Sequence, residues 1–210
     1  MSQSAEPKPF VMPDWDALYR MGTPPWDSSV PAPELVGLVE DGTIKPCRAL
    51  EIGCGSGTDA VYLAKKGFEV TAVESSPIAL ERARARAERE DALLRLVLGD
   101  VFEFTKDLGP FDFIYDRGFY HFIRHANLDL LLDMLWRITR PGSMCLVLAG
   151  NSDERTEDGP PGVSENDIRN ELGRLLDFVH RRPFRFESPV REQGYLGWSC
   201  LMRRPGPVER

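Results

Sequence analysis

The stretch Glu51-Ile52-Gly53-Cys54-Gly55-Ser56-Gly57 places a glycine at every second position from residue 53 and continues the apolar segment 48–52. Glycine permits positive φ angles and a close approach of the backbone to a ligand. A helix that follows such a turn presents free backbone N–H groups, which attract electron-rich ligand atoms. The stretch predicts a strand, a turn and a helix that bind a nucleotide-type cofactor. The alternative is a turn that only packs a strand against a helix.

The spacing of the glycines narrows the choice of cofactor. A dinucleotide-binding fingerprint has the form G-x-G-x-x-G, with its third glycine three residues after the second. That position is occupied by Thr58 here, three residues after Gly55. The pattern is instead E-x-G-x-G-x-G, which suits a ligand without a pyrophosphate, because no helix dipole is needed to hold a diphosphate. A nicotinamide-dependent dehydrogenase is therefore a distant alternative.

Strand-like and helix-like segments alternate through the chain. Strands are predicted at 48–52, 69–73, 93–98, 111–115 and 144–149, with two closing strands at 178–186 and 196–203. Helices are predicted at 14–21, 32–40, 59–66, 77–90, 128–138 and 164–176, and a long polar loop at 151–162. Strands that alternate with helices form parallel sheets covered on both faces. The sequence therefore predicts an α/β fold, a Rossmann-like doubly wound sheet of about seven mostly parallel strands with helices on both faces.

Acidic residues follow the second and third predicted strands. Glu74 lies 19 residues after Gly55, close to the spacing expected of an acid that accepts hydrogen bonds from ribose hydroxyls. Asp100 could accept from the amino group of adenine, and the backbone N–H of Val101 could donate to the ring. The alternatives are an exposed strand-end acid for Glu74 and a helix cap for Asp100. Together the three successive strand ends indicate a cofactor that contains adenosine.

The pattern E-x-G-x-G-x-G resembles motif I of the class I methyltransferases, and the resemblance extends over about residues 15–149. These enzymes use S-adenosylmethionine as their methyl donor and release S-adenosylhomocysteine. The resemblance implies that five residues of the turn bind this cofactor, namely Glu51, Gly53, Cys54, Gly55 and Gly57.

Two further segments resemble one branch of these enzymes, the thiopurine methyltransferase-like group, which includes halide, thiol and tellurite methyltransferases. The two segments are Trp15-x-x-x-Tyr19-x-x-Gly22-Thr23-Pro24-Pro25-Trp26-Asp27 and Phe111-Asp112-Phe113-Ile114-Tyr115-Asp116-Arg117-Gly118. Val73-Glu74-Ser75-Ser76 also matches the V-E-x-S that members often carry at the ribose position. This match implies that Glu74 and Ser75 bind the cofactor.

The resemblance to this branch implies roles for four more positions. Trp15 and Trp26 would pack on the methionine part of the cofactor or wall the substrate pocket, where an aromatic face near a sulfonium gains about 0.5–2 kcal/mol. Asp116 and Arg117 would lie beside the transferable methyl group, with Asp116 also in contact with the cofactor. The alternatives are ordinary packing for the tryptophans and a surface ion pair for Asp116 and Arg117.

Length and charge set limits on the kind of protein. The chain is long enough for one well-buried domain, expected at 13–205, with a cofactor-covering segment at 13–45 and a flexible tail at 1–12. The formal net charge of −7 argues against a surface that binds nucleic acid, because phosphate binding needs clustered Lys and Arg. No apolar run reaches membrane-spanning length, and the polar N-terminus does not resemble a signal peptide. We therefore expect a cytoplasmic protein, monomeric with a dimer left open.

Neither the cysteines nor the histidines predict a metal site. The four cysteines are scattered along the chain with no C-x-x-C pair. His121 and His125 would share one face of a helix, but no Glu or Cys accompanies them at a telling spacing. We expect no bound metal.

The expected reaction is a direct displacement, in which a nucleophile attacks the sulfonium methyl group. The methyl acceptor is expected to be a small molecule with a thiol or another soft atom, which needs little or no general base. An alcohol or phenol would need a base, and Asp116 or His121 could serve if it lay within hydrogen-bond reach of the nucleophile. The alternatives are a small-molecule O- or N-methyltransferase and a non-catalytic S-adenosylmethionine-binding module that regulates a partner.

Overall fold

The structure is a computed structural model that describes residues 12–22, 24–154 and 159–206. The expected flexible tail lies outside the described residues, except for Met12. Within the described ranges, no helix is long and apolar enough to cross a membrane. The single domain, the monomeric state and the cytoplasmic location stay predictions.

The described ranges contain eight strands and seven α-helices. The strands are β1 (Arg48–Ile52), β2 (Glu69–Glu74), β3 (Arg95–Leu98), β4 (Phe113–Arg117), β5 (Met144–Asn151), β6 (Gly162–Val163), β7 (Asp177–Phe186) and β8 (Tyr195–Arg203). The helices are α1 (Trp15–Arg20), α2 (Pro33–Glu40), α3 (Thr58–Lys65), α4 (Pro77–Arg89), α5 (Val101–Phe104), α6 (Phe119–Ile138) and α7 (Glu165–Glu171).

The strands form one sheet in the order β3-β2-β1-β4-β5-β8-β7, and the short β6 pairs with β5. Strands β1 to β5 run parallel to one another, β6 is parallel to β5, and β8 is antiparallel to both β5 and β7. The predicted sheet of about seven mostly parallel strands is confirmed. The strand order reverses between β1 and β4, and in such sheets ligands bind at the carboxyl ends of the strands beside this reversal.

Alternate side chains of the central strands enter two hydrophobic cores, one on each face of the sheet. Ile52 and Ile114 pack with the buried residues of α6 on one face. Phe113 and Tyr115 pack with residues of α2 and α3 on the other face. A sheet buried on both faces explains why these strands are apolar along their whole length.

Two helices begin at side-chain caps supplied by serine. The hydroxyl of Ser164 accepts a hydrogen bond from the backbone N–H of Asp167 at 3.1 Å and starts α7. Pro77 is the first residue of α4, where its missing N–H costs no hydrogen bond, and Ser76 caps this helix. Helix α7 ends at Glu171, earlier than predicted, because a short 3-10 turn follows it at Leu172–Arg174.

Helix α6 differs most from the sequence prediction. The predicted helix at 128–138 begins at Phe119 in the structure, and a kink at Asn127, with φ −148° and ψ 50°, divides it. The early turn forms because the Asp116 carboxylate accepts hydrogen bonds from the first backbone N–H groups of the helix. Strand β4 runs to Arg117 rather than to residue 115, so Asp116 and Arg117 belong to the strand.

Candidate cofactor and active site

A cavity of about 610 Å³ lies at the carboxyl ends of β1, β2, β3 and β4. Twelve of the fourteen residues that the sequence predicts for the site line it: Trp15, Trp26, Glu51, Gly53, Cys54, Gly55, Glu74, Ser75, Asp100, Val101, Arg117 and His121. The other two, Gly57 and Asp116, are not among its lining residues. The cavity therefore brings together residues that the sequence places up to about a hundred positions apart.

The glycine turn leaves β1 with positive φ angles at Gly53 (66°), Gly55 (54°) and Gly57 (76°). A Cβ at Gly55 would lie 2.5 Å from the hydroxyl oxygen of Tyr19, so only glycine leaves room for this side chain of α1. A Cβ at Gly57 would lie 2.7 Å from the Cβ of Ala83 in α4. Gly57 therefore has a helix-packing role, and its predicted cofactor contact stays a prediction.

Glu51 is a buried acid in the wall of the cavity. Its Oε2 atom has no hydrogen-bond partner among the described residues. Burial raises the pKa of the Glu51 carboxyl well above its usual range, and the negative charge of Asp59 adds to this effect. Buried polar atoms are nearly always hydrogen-bonded, so this oxygen is suited to a ligand that donates.

Glu74, the last residue of β2, is fixed by the backbone around it. Its Oε2 atom accepts from the N–H of Gly55 at 2.9 Å, and its Oε1 atom accepts from the N–H of Ser76 at 2.8 Å. The Oε2 atom keeps a further lone pair, so the side chain can still accept a hydrogen bond from a ligand. The exposed Ser75 donates its hydroxyl to Glu74 Oε1 at 3.4 Å.

Asp100 both caps a helix and lines the cavity. Its Oδ1 atom accepts from the N–H of Phe102 at 2.8 Å, which starts α5. The next residue, Val101, is buried and lines the same wall. The cap and the predicted adenine contact are therefore compatible, because the carboxylate keeps a free oxygen.

Helix α1 is held against α4 by polar contacts. The hydroxyl of Ser76 donates to the carboxylate of Asp16 at 2.5 Å. The guanidinium of Arg82 donates to the carbonyl oxygens of Tyr19 at 2.6 Å and Gly22 at 2.9 Å. These contacts place the N-terminal segment across the glycine turn.

Aromatic rings from this segment and from α6 line the cavity together. The Trp15 ring stands nearly perpendicular to the Trp26 ring, and their centroids are 5.7 Å apart. It is also nearly perpendicular to the Phe122 ring, at a centroid distance of 4.9 Å. The indole N–H of Trp26 donates to the hydroxyl of Tyr19 at 3.3 Å. The predicted Trp15 and Trp26 thus form one aromatic wall, which Phe122 extends.

Arg117 lies in a largely buried ion pair rather than the surface pair considered from the sequence. Its guanidinium lies 3.1 Å from Asp59, and the two side chains are 15% and 4% exposed. Asp59 also accepts from the Tyr115 hydroxyl at 3.0 Å and from the N–H of Ala32 at 2.8 Å. Arg117 therefore ties β4 to α3 and to the start of α2 while it lines the cavity.

Asp116 is a buried acid at the end of β4. Its two oxygens accept from the N–H groups of Phe119 at 2.8 Å and Tyr120 at 2.9 Å. Burial raises the pKa of the Asp116 carboxyl to about 7, although these backbone hydrogen bonds oppose the rise. Both oxygens therefore position the start of α6, and Asp116 does not line the cavity, so its predicted contacts with the cofactor and the methyl acceptor stay predictions.

His121 lines the cavity but is not arranged as a general base. The backbone N–H of Gly150 donates to its Nδ1 atom at 3.0 Å. Burial, together with the charge of His125, lowers the pKa of the His121 imidazole to about 3. Its lone pair is therefore occupied, and it cannot take a proton without losing that bond. Among the described residues, no group of three or more His, Cys, Asp or Glu side chains is placed to hold a metal ion.

Several residues that line the cavity are absent from the sequence-based site, among them Tyr19, Asp59, Phe119 and Phe122. Tyr19 lies within the tryptophan-containing segment, whose W-x-x-x-Y spacing could have identified it. Asp59 carries no local signal, because its partner Arg117 is distant in sequence. Phe119 and Phe122 belong to the early part of α6, which the sequence did not predict. Asp116 at the end of β4 causes this early start, and apolar periodicity does not show it.

Comparison with known proteins identifies the family. The sequence model of a protein family described as a methyltransferase domain matches residues 49–142. The probable thiol methyltransferase 2 of Arabidopsis thaliana is 30% identical over 159 residues, which cover 75% of this chain and 70% of that protein. This chain belongs to the S-adenosylmethionine-dependent methyltransferases. The family confirms the predicted enzyme class and cofactor and excludes the nicotinamide-dependent dehydrogenase.

Two further proteins resemble this methyltransferase. The 2-heptyl-1-hydroxyquinolin-4(1H)-one methyltransferase of Mycobacteroides abscessus is 30% identical over 149 residues, which cover 70% of this chain and 65% of that protein. A solved structure that concerns the conversion of a disulfide bond into a thioacetal group during echinomycin biosynthesis superposes with a TM-score of 0.78. It is 25% identical, and the match covers 91% of both chains.

Proposed function

We propose that this methyltransferase transfers the methyl group to the ionised sulfur of a small-molecule thiol. The observation that carries the proposal is that three acids of the cavity wall hold other groups, namely Asp59 with Arg117, Glu74 with the glycine turn and Asp100 with α5, and that the Gly150 N–H occupies the Nδ1 lone pair of His121. An alcohol needs a base to lose its proton. A thiol ionises with a pKa of about 8.5, so part of it is thiolate at neutral pH without a base.

The wall of the cavity fits S-adenosylmethionine. Glu51, with its unpartnered oxygen, would accept from the ammonium group of the methionine part. Glu74 would accept from a ribose hydroxyl, since its Oε2 atom has a lone pair left. Asp100 and Val101 would meet the adenine. When bound, this cofactor supplies an electrophilic methyl group, to which the acceptor sulfur bonds as the carbon–sulfonium bond breaks and leaves its electron pair on the departing sulfur.

The protein's own contribution is to orient the acceptor and to exclude water. Trp15, Trp26 and Phe122 line one side of the cavity, where a ring face turned toward the sulfonium would stabilise it by about 0.5–2 kcal/mol. The buried pair of Arg117 and Asp59 keeps the wall at the end of β4 rigid. Such fixed positioning is a principal source of rate acceleration when little proton transfer is required.

A second candidate is the methylation of an acidic oxygen. The resemblance to the hydroxyquinolone methyltransferase supports it. An N-hydroxy heterocycle loses its proton more readily than an alcohol, so it suits the same cavity without a free base. The two candidates share one requirement, which is an acceptor that is ionised before it binds.

A matched substrate panel with methyl-labelled S-adenosylmethionine tests the proposal. Each pair in the panel has the same carbon skeleton and carries either a thiol or a hydroxyl. Because general base catalysis supplies about 100-fold or more, we expect each hydroxyl compound to fall at least about 100-fold below its thiol in kcat/KM. Equal rates within the pairs, or no labelled thiol, would contradict the proposal. A preference for the N-hydroxy heterocycle over every thiol would select the second candidate.

We also propose that residues 13–205 form a single domain, in which segment 13–45 covers the cofactor. We propose that the protein acts as a cytoplasmic monomer. The docking of α1 on α4 through Arg82 and Ser76 supports the covering role. Gel filtration with light scattering tests the monomer, and a dimer mass would overturn it.

A further inference from the structure

His121 occupies a defined position in the cavity wall. It is the third residue of α6, it is 4% exposed, and its ring contacts the ring of Phe122 with centroids 4.8 Å apart. A Cβ at Gly118 would lie 3.4 Å from both its Nε2 and Cε1 atoms. Gly118 lines the cavity, so the Nε2 edge of the ring lies against the cavity wall.

The proton of His121 is fixed by the backbone. The hydrogen bond from the Gly150 N–H requires a lone pair on Nδ1, because a backbone amide nitrogen only donates. Gly150 is held in turn by both of its neighbours in the sheet, Gly162 of β6 and Gly197 of β8. The imidazole is therefore neutral and carries its proton on Nε2.

The Nε2–H group has no acceptor among the residues that the structure describes. The other polar edge of the ring is satisfied by Gly150. Buried donors in proteins are nearly always paired with protein, water or ligand. The neighbouring residues of α6 that line the cavity, Phe119, Phe122 and Ile123, offer no side-chain acceptor.

We propose that His121 binds the methyl acceptor by donating its Nε2–H to the ionised nucleophilic atom. This inference rests on the proposed function and adds the residue that recognises the acceptor. An anion that enters an apolar cavity loses its hydration, and without a hydrogen bond this is unfavourable. A donor of fixed orientation offsets that loss and leaves the remaining lone pairs of a thiolate available for the methyl group. His121 thus selects the ionised acceptor rather than removing its proton.

Two substitutions separate this role from a structural one. In His121→Asn, the amide oxygen can take the place of Nδ1 and accept from Gly150, but the side chain ends before the position of Nε2. In His121→Gln, the amide N–H can reach the position of Nε2. If His121 binds the acceptor, Asn lowers kcat/KM by about 10- to 100-fold, mainly through the KM of the acceptor. Gln then restores most of that loss, and both variants bind S-adenosylhomocysteine as the wild type does.

Nitrogen NMR of the wild type gives a readout that does not depend on the variants folding. The chain has three histidines, so the signals of His121, His125 and His180 can be assigned by substitution of the latter two. We expect an unprotonated Nδ1 and a protonated Nε2 at His121, unchanged through neutral pH. The Nε2–H signal should shift when S-adenosylhomocysteine and an acceptor bind together.

The outcomes distinguish this inference from the proposed function. If the wild type methylates no thiol, the proposed function fails, and the NMR experiment is run with whichever acceptor it does methylate. A protonated Nδ1, an unshifted Nε2–H signal, or an Asn variant within about twofold of the wild type overturns the role of His121. Equal losses in Asn and Gln with reduced stability in both would show that His121 is structural.

Discussion

Replacement of Glu51 by glutamine tests the cofactor site at its buried acid. The unpartnered Oε2 atom is expected to accept from the ammonium group of S-adenosylmethionine. Glutamine keeps the size and one acceptor but loses the charge. A hydrogen bond to a charged group contributes about 1.5–3 kcal/mol, so the Kd of S-adenosylmethionine should rise by roughly 10- to 150-fold.

The same substitution should change the stability of the free protein in the opposite direction. Burial and Asp59 raise the pKa of Glu51 in the folded state. At pH values above the usual carboxyl pKa, the unfolded chain has released this proton. The folded protein must still retain the proton or bury a charge, so its free energy of unfolding falls as pH rises. Glu51→Gln removes that loss, and its free energy of unfolding at neutral pH should equal or exceed that of the wild type.

Isothermal titration calorimetry and urea unfolding measure the two effects separately. Glu187→Gln is the matched control, because it removes the same charge from an exposed residue that also lines the cavity. This control should change the Kd by less than about threefold, since exposed charges interact weakly. Unchanged affinity in Glu51→Gln, or equal losses in both variants, would refute the cofactor contact.

Three further predictions concern the supports of the site. Gly57→Ala places a Cβ 2.7 Å from that of Ala83 at a φ of +76°, so urea unfolding should show a free energy of unfolding about 2–3 kcal/mol lower. A decrease below about 0.5 kcal/mol would contradict the packing role. Asp59→Asn leaves the Arg117 charge buried and should lower the free energy of unfolding by about 3 kcal/mol. The double variant with Arg117→Met should recover part of this loss, and no recovery would argue against the ion pair. Asp116 binds a proton more tightly when folded, with its pKa raised from 3.8 to about 7, so its contribution to stability falls as pH rises through that window. Asp116→Asn should flatten this slope, measured by unfolding at a series of pH values, and an unchanged slope rejects the assignment.

The parts of the site that the sequence predicts are those set by local patterns. The glycine turn, Glu74 and Asp100 each follow a strand, and the carboxyl ends of parallel strands meet at one edge of the sheet. Glycine spacing argued against a dinucleotide because Thr58 stands where a third glycine is required. Apolar periodicity located most helices and strands within a few residues.

The parts that the sequence does not predict depend on contacts between distant residues. The lone pair of His121 is occupied by Gly150, which lies 29 positions away. Asp116 matches a motif associated with the methyl group, yet its carboxylate serves the N–H groups of α6. Gly57 belongs to the cofactor motif by spacing, but the approach of Ala83 explains why a glycine is needed there.

The pH dependence of methylation across a series of thiols tests the central claim most directly. The claim is that the enzyme binds an acceptor that is already ionised and uses no general base. The series should contain thiols of similar shape whose own pKa values differ, and kcat/KM is measured for each across pH. The account predicts that the midpoint of every profile follows the pKa of the thiol. One common midpoint for all thiols, set by a group of the enzyme, would contradict it.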